Sequence, residues 1–498
     1  MMMSQPPNDL YYTQYNPITA VLLFQPTGPT LIEKIPSLIK GSNVQTTTRE
    51  ANWQALSASL GDRPKDMKIW VEAYGCTASM GDSEMISGLL KDSGYDLGSN
   101  ERDSVLSIIV TCSVKDVTEH KMLHRVGQLM KTGKPLIIAG CLPKANKKLL
   151  ETKYPTASLL GPHAINDTIG VVKSAISGRR TIALEDSGSD KINLPRVRLN
   201  PVTSIIEIAS GCMSGCTFCQ TKLAKGQLRS YRIGDILRQF RYDVQDGCKE
   251  IWLTSTDSGC YGRDIGSNLI ELLESCISVK GDYQIRIGMM NPMFLPDMSK
   301  KLAELLVESD RIFKFLHIPI QSGSDVILRK MKRGHTAKIF VDAVKAFRRK
   351  IPEVTIATDV IVGFPSETMD DFKRTLEIIK ITEPDIVNIS KYGARPGTIA
   401  ARFKKINSQE IKVRSRQTHL LINNIGLKRN ALWKEWEGEI IVDQSDTKGL
   451  QGRNYAYKPI HVARSAADQV QLGDRIRVKI QDFSSHILRG RLDNDYDN

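Results

Sequence analysis

The sequence predicts an α/β protein in three parts: a small parallel α/β domain, a partial barrel of six β/α units, and a short all-β barrel at the C-terminus. Three observations carry this. Strand-like apolar runs alternate with amphipathic helical stretches from residue 67 to about 389, and between 431 and 492 the alternation gives way to short strands and turns. A stretch rich in Gly, Ser, Asp and basic residues, 178–200, reads as a linker between the first set of alternating units and the second.

Residues 1–66 form a leader of unassigned role. Pro6, Pro7, Pro17, Pro26, Pro29 and Pro36 interrupt it, and no hydrophobic period is sustained. In 67–179, a strand at 68–72 runs into Gly75-Cys76 and a helical stretch covers 82–93. A strand at 105–110 enters Cys112, a helix follows at 116–131, and a strand at 135–139 ends at Gly140-Cys141-Leu142-Pro143. Such βαβα order builds a parallel sheet, and it puts all three cysteines just past strand C-termini, where open α/β sheets carry their sites. The second domain, 198–430, has strand candidates at 205–208, 250–254, 284–289, 315–318, 356–362 and 385–389. Six units suggest a curved, open barrel, since a complete one has eight. The amphipathic helix that follows has eight Lys/Arg against one Asp/Glu over 402–429, and is either a solvated face or a surface for a polyanion. The terminal barrel occupies 431–492, with a polar acidic tail after it.

Apolar residues are 41% of the 498 and charged ones 25%, which is globular composition and excludes an extended disordered chain. The apolar run 18–24 is too short to cross a bilayer and lacks the basic flank of a secretory signal, so no membrane is expected and a cytoplasmic location is. Nine cysteines in such a chain do not read as a disulfide framework. The net charge of +14 favours a polyanionic partner.

The most specific motif is Gly211-Cys212-Met213-Ser214-Gly215-Cys216-Thr217-Phe218-Cys219, which follows the strand at 205–208. Three thiolates on one short loop suit zinc or an iron–sulfur cluster. Structural zinc wants a fourth ligand, but the next cysteine is Cys248 and the next histidine His317. Three ligands leave one iron of a [4Fe-4S] cluster open to chelate a small molecule. Cys76, Cys112 and Cys141 form a second set. Each alone is as readily a buried small hydrophobe, but together they stand at three strand ends and can converge on a second cluster. Cys248 and Cys276 read as packing residues. Cys260, in Asp257-Ser258-Gly259-Cys260, lies near the active face without ligand spacing. His317 is a proton donor, a substrate contact or a structural histidine.

The CxxxCxxC loop resembles the signature of the radical S-adenosylmethionine (SAM) superfamily. Gly75-Cys76, Asp82-Ser83-Glu84, Thr111-Cys112-Ser113-Val114, Gly140-Cys141-Leu142-Pro143 and Ala224-Lys225-Gly226 narrow the resemblance to the methylthiotransferases. Ser79, Val110 and Lys225 depart from that family's usual residues without removing a cysteine. The resemblance implies an N-terminal cluster domain, a radical SAM core and a TRAM RNA-binding barrel. It implies two [4Fe-4S] clusters on Cys76, Cys112, Cys141 and on Cys212, Cys216, Cys219, with SAM on the second. It gives Phe218, Gln321, Ser322, Gly323, Gly363, Phe364 and Pro365 as cofactor-binding candidates, and Arg453, Tyr455, Lys458, Arg475, Arg477 and Lys479 as RNA-binding candidates. The segments 251–259 and 286–292 look most like the archaeal and eukaryotic branch that acts on tRNA carrying threonylcarbamoyladenosine at position 37, although Thr256 departs from it. An electron donor and a sulfur source are the implied partners. Isopentenyladenosine-bearing tRNA, or another radical SAM reaction on RNA, is the alternative.

Overall fold

The computed structural model describes residues 18–20, 67–114, 116–186, 188, 190–463 and 470–493, so most of the leader and the acidic tail lie outside the described residues. The chain divides into two compact units. The first runs to Leu199 and takes in Leu223–Lys225; the second holds the rest.

In the first unit, β1 (Ile18–Ala20), β2 (Lys68–Tyr74), β3 (Asp96–Leu97), β4 (Leu106–Thr111), β5 (Leu136–Gly140), β6 (Ser158–Leu160) and β7 (Ile182–Ala183) form one sheet. Its order is β1-β2-β4-β5-β6-β7, with β3 also beside β2. Only β1 runs antiparallel. Every residue of β4 and β5 is buried because helices cover both faces, which is why these strands read as continuous apolar runs. Alternation along β4 sends Ile108 and Val110 towards Met85, Ile86 and Leu90 of the helix Thr77–Asp92, and Ile109 towards Met122 and Val126 of the helix Asp116–Met130.

The helix Thr77–Asp92 begins five residues before the expected 82, directly after Cys76. Its first turns bury Ser79, Gly81, Asp82, Ser83 and Glu84 rather than apolar residues, so hydrophobic periodicity gives no sign of them. The expected linker is also corrected. β7 lies within it, and Lys191 reaches back to Asp82 at 2.6 Å with both side chains buried. Further along, the Val197 and Leu199 amides donate to the backbone and side chain of Glu84, each at 3.0 Å. Asp82-Ser83-Glu84 thus anchors the segment that leaves the unit.

In the second unit, β8 (Thr203–Ser210), β9 (Arg229–Ser230), β10 (Glu250–Ser255) and β11 (Gln284–Ile287) form a sheet ordered β11-β10-β8-β9, while β12 (Phe315–His317), β13 (Thr355–Val362) and β14 (Ile386–Lys391) form another. A parallel bridge between Ile285 and Ile312 links them. Six parallel strands, β8, β10, β11, β12, β13 and β14, therefore run in one series, with helices between them. This is the expected partial (β/α)6 barrel.

The long helix Ser408–Ala431 leads to a closed barrel of β15 (Glu437–Asp446), β16 (Gly449–Arg453), β17 (Pro459–Ala463), β18 (Arg475–Phe483) and β19 (Leu488–Leu492). Trp433, Ile440, Ile460, Val478, Ile480 and Leu488 fill it. It packs on the preceding domain through Tyr457, which sits against Phe313 and Phe315.

Candidate active site

The loop after β8 carries Cys212, Cys216 and Cys219. Two bonds pin its centre to the helix Asp325–Met331: the Thr217 amide to the Met331 carbonyl at 3.0 Å, and the Thr217 hydroxyl to Lys330 at 2.9 Å. Cys219 then caps the helix Gln220–Lys225 in an extended conformation. Donors face the sulfurs: the Ser214 amide lies 3.3 Å from Cys212 Sγ, and Arg333 Nη1 lies 3.4 Å from Cys216 Sγ. Arg333 is itself buried and tied to the Pro319 carbonyl. Burial, and then the charges of Cys216 and Cys212, push the Cys219 thiol up to about 11, so the three sulfurs share one neighbourhood.

Three further residues complete this corner. Asp257, just past β10, accepts from the Gly259 and Asn291 amides through Oδ1, and its Oδ2 lies 3.8 Å from Cys212 Sγ. Burial and the neighbouring Cys212 raise the Asp257 carboxyl to about 7. Asn291, past β11, donates to the Ser214 hydroxyl and the Arg333 carbonyl. Cys260 stands beside Cys212, and hydrogen bonding from it holds the Cys212 thiol down at about 5. The sequence pattern misses all three as a group; their signal is position, past the ends of strands β10 and β11 in the sheet that also holds β8.

In the first unit the other three cysteines stand just past the ends of the neighbouring strands β2, β4 and β5. Cys76 and Cys112 act on each other, the charge of Cys141 acts on Cys112, and that of Cys76 acts on Cys141. The bond from Cys112 lowers the Cys76 thiol to about 5, helped by the buried Lys225, while the Cys112 thiol is raised in return. Burial pushes Cys141 to about 12. Two glycines make this convergence possible. Gly75 and Gly140 have φ of +117° and +90°, and a Cβ on Gly75 would lie 2.1 Å from the Cβ of Cys112.

Both trios suit an iron–sulfur cluster by donor chemistry: soft thiolates, N–H donors to sulfur at the CxxxCxxC loop, and no carboxylate or histidine in the trios themselves. Buried oxygens without a hydrogen-bond partner flank both, namely Ser113 Oγ beside Cys112, and Ser210 Oγ and Gln220 Oε1 at either end of the CxxxCxxC loop. Orphaned polar atoms of this kind mark places where a bound group or water completes the bonding.

The remaining cofactor candidates divide. Phe218 is half-buried, edge-on to Phe364 with centroids 6.4 Å apart. Gln321 is partly exposed and holds a left-handed φ of +69°, fixed by bonds from its amide to Asp359 and from the Ile361 amide to its carbonyl. His317, at the end of β12, bonds Asp359 at 2.8 Å. Ser322 and Gly323 face inward instead: the Ser322 hydroxyl lies 3.4 Å from that of Thr375, and Gly323 lies against the backbone of the helix Met369–Thr382. Phe364 and Pro365 are buried, with Phe364 central to an apolar cluster, while the Gly363 amide is bound by Glu367. These five support the rim from behind.

A model of the radical SAM superfamily matches residues 206–379, and a model of uncharacterized protein family UPF0004 matches 68–161. The probable threonylcarbamoyladenosine tRNA methylthiotransferase of Archaeoglobus fulgidus is 38% identical over 431 residues, covering 86% of this chain and 99% of its own. The chain belongs to the threonylcarbamoyladenosine tRNA methylthiotransferase family. The human threonylcarbamoyladenosine tRNA methylthiotransferase is 31% identical over 86% of this chain and 74% of its own. The fold is also similar to that of a solved radical S-adenosylmethionine methyltransferase, TsrM from Kitasatospora setae, at a TM-score of 0.50 and 12% identity over 67% of this chain and 75% of that one.

In this methylthiotransferase two of the expected RNA contacts are corrected. Arg453 is buried against Asp443 at 3.0 Å and over the Tyr457 ring, and Lys458 is buried against Asp385 at 2.9 Å. Both cations neutralise carboxylates inside the protein. Tyr455 packs on Trp433 and Trp436. Arg475 and Arg477 are exposed and Lys479 partly so, each on a surface carboxylate: Asp282, Asp493 and Glu437. Among the described residues no helix is long and apolar enough to cross a membrane.

Proposed function

We propose that this protein converts threonylcarbamoyladenosine at position 37 of tRNA to its 2-methylthio derivative, using SAM and two [4Fe-4S] clusters. The observation that supports this is two sets of three cysteines on one chain, one past the ends of β2, β4 and β5 and one on the loop after β8, in a protein that aligns with the Archaeoglobus relative over nearly that relative's whole length. Cys212, Cys216 and Cys219 would hold the cluster that binds SAM, and Cys76, Cys112 and Cys141 the auxiliary one. When bound, these groups supply radical chemistry at an unactivated C–H bond, together with the sulfur to be inserted.

The protein's own residues bind and orient. Ser214 N–H and Arg333 direct hydrogen bonds at the sulfurs of the CxxxCxxC loop, and Lys225 offsets the charge of the auxiliary thiolates. Phe218 offers a ring to a flat base, while Gln321 and the His317–Asp359 pair offer polar groups at the barrel rim. Exposed cations on 402–416 and on β18 are the proposed tRNA contacts. An electron donor and a sulfur source complete the list of partners, and reduced thiols with a tRNA substrate suit the cytoplasm.

The test is an anaerobic assay of reconstituted protein with reductant, SAM and tRNA bearing threonylcarbamoyladenosine, read by nucleoside mass spectrometry. A methylthio mass gain on this tRNA, and none on tRNA bearing isopentenyladenosine, is expected. Gain on the second alone would move the protein to the alternative substrate. SAM cleavage without gain on either would refute the methylthio chemistry.

A further inference from the structure

Cys260 is not among the six cysteines with an assigned ligand role, yet it stands at the CxxxCxxC site. β8 and β10 are neighbouring parallel strands, with Thr254 opposite Glu207 and Ser255 opposite Ala209. The loops leaving their C-terminal ends run side by side and bring 257–260 against Cys212. The sulfurs of Cys212 and Cys260 and a carboxylate oxygen of Asp257 all lie within 4.8 Å of one another. Cys260 is 0% exposed. It sits in a single helical turn, Ser258–Cys260, capped by the Asp257 side chain, which also holds the Asn291 amide. Its sulfur cannot swing out to solvent.

A thiol so placed has one proton and three acceptors near it: the Asp257 carbonyl at 3.1 Å, and the Cys212 sulfur and an Asp257 carboxylate oxygen, each within 4.8 Å. Once Cys212 is bound to iron its sulfur is an anion, and a charge-assisted bond to it is stronger than one to the neutral carbonyl, while Asp257 Oδ1 already accepts from the Gly259 and Asn291 amides. Hydrogen bonds to cluster sulfurs stabilise the more negative, reduced state and so raise the reduction potential. Resting on the assignment of Cys212, Cys216 and Cys219 as ligands, we propose that Cys260 is a positioning residue for that cluster: its thiol donates to the Cys212 sulfur and holds the potential higher than the three ligands alone would. A purely packing role for Cys260 makes the opposite prediction, because Ala fills the same apolar space nearly as well.

The experiment uses full-length protein with Cys76, Cys112 and Cys141 replaced by Ala, so that one cluster gives the electron paramagnetic resonance signal. Its iron content checks the ligand assignment first: a parent that binds no iron overturns that assignment and leaves the thiol aside. On an iron-loaded parent, Cys260→Ala is expected to lower the reduced-to-oxidised ratio at the parent's midpoint by about threefold, about 30 mV for a one-electron couple. Cys260→Ser keeps a donor and is expected to stay near the parent. Equal potentials for the parent and Cys260→Ala at equal iron content would overturn the proposal, as would a Ser variant that falls with Ala. The same two substitutions in the otherwise intact protein guard against a misfolded background.

Discussion

At Gly75 the backbone has φ of +117° and no room for a Cβ, because Cys112 stands 2.1 Å from where it would go. Gly75→Ala therefore has to move either the strand end or the cysteine. The expected result is loss of iron from the Cys76–Cys112–Cys141 site with retention at the CxxxCxxC loop, read as iron per chain with SAM cleavage as a second measure. The cysteines themselves divide in the same way. Cys212→Ala should abolish SAM cleavage, whereas Cys76→Ala should spare part of it and abolish sulfur insertion. Equal loss of cleavage in both would sink the division of labour. The six cysteines are legible in the sequence because strand ends can be read locally. Cys260 is read as lying near the active face, but its grouping with Asp257 and Asn291 beside Cys212 is not legible, because nothing near them says that β10 and β11 share a sheet with β8.

Among the elements, β10 begins with Glu250, which is 0% exposed and whose Oε2 accepts from Trp252 at 3.0 Å. Burial, and then the nearby Asp443, raise its carboxyl from the ordinary 4.5 to about 8. The folded protein thus keeps a proton that the unfolded chain releases. The stability this contributes is fully present below 4.5 and is lost as pH rises from there through about 8. Glu250→Gln should flatten that decline, and thermal midpoints measured across the window will show it. The seam between β14 and the terminal barrel works the other way. Burial alone would raise Asp385, but Lys458 and Arg429 hold it at about 2. Removing its charge leaves the buried Lys458 and Arg429, and the partly exposed Arg348, without their carboxylate. Asp385→Asn should cost about 3–5 kcal/mol, measurable by denaturant unfolding. The six-unit series was legible from alternation. The early start of the helix Thr77–Asp92 was not, since its buried first turns are polar.

Over the whole molecule the charge of +14 acts on a polyanion at long range, but the charge is unevenly available. On the basic segment 402–429, Arg414 and Arg429 are buried against Glu367 and Asp385, while Arg402, Lys404, Lys405, Lys412 and Arg416 are exposed. The segment is a structural strut and a cationic surface at once. Replacing Lys404 and Lys405 with Glu is expected to weaken tRNA binding and to reduce the slope of log affinity against log salt by about one to two. Binding measured between low and moderate salt tests this; an unchanged slope would remove the segment from the RNA contacts.

The sequence by itself determined the six cysteines at strand ends, the parallel α/β domain, the six-unit barrel and the terminal β-barrel. All of these follow from periodicity and from motifs a few residues long. Only the tertiary structure decided which groups stand beside those cysteines and which cations are free. Arg453 and Lys458 read as RNA contacts until Asp443 and Asp385 are seen to hold them inside. The physical reason is the same in both cases: local pattern encodes which way a side chain faces along its own element, whereas its partner comes from an element tens of residues away, chosen by strand order and packing.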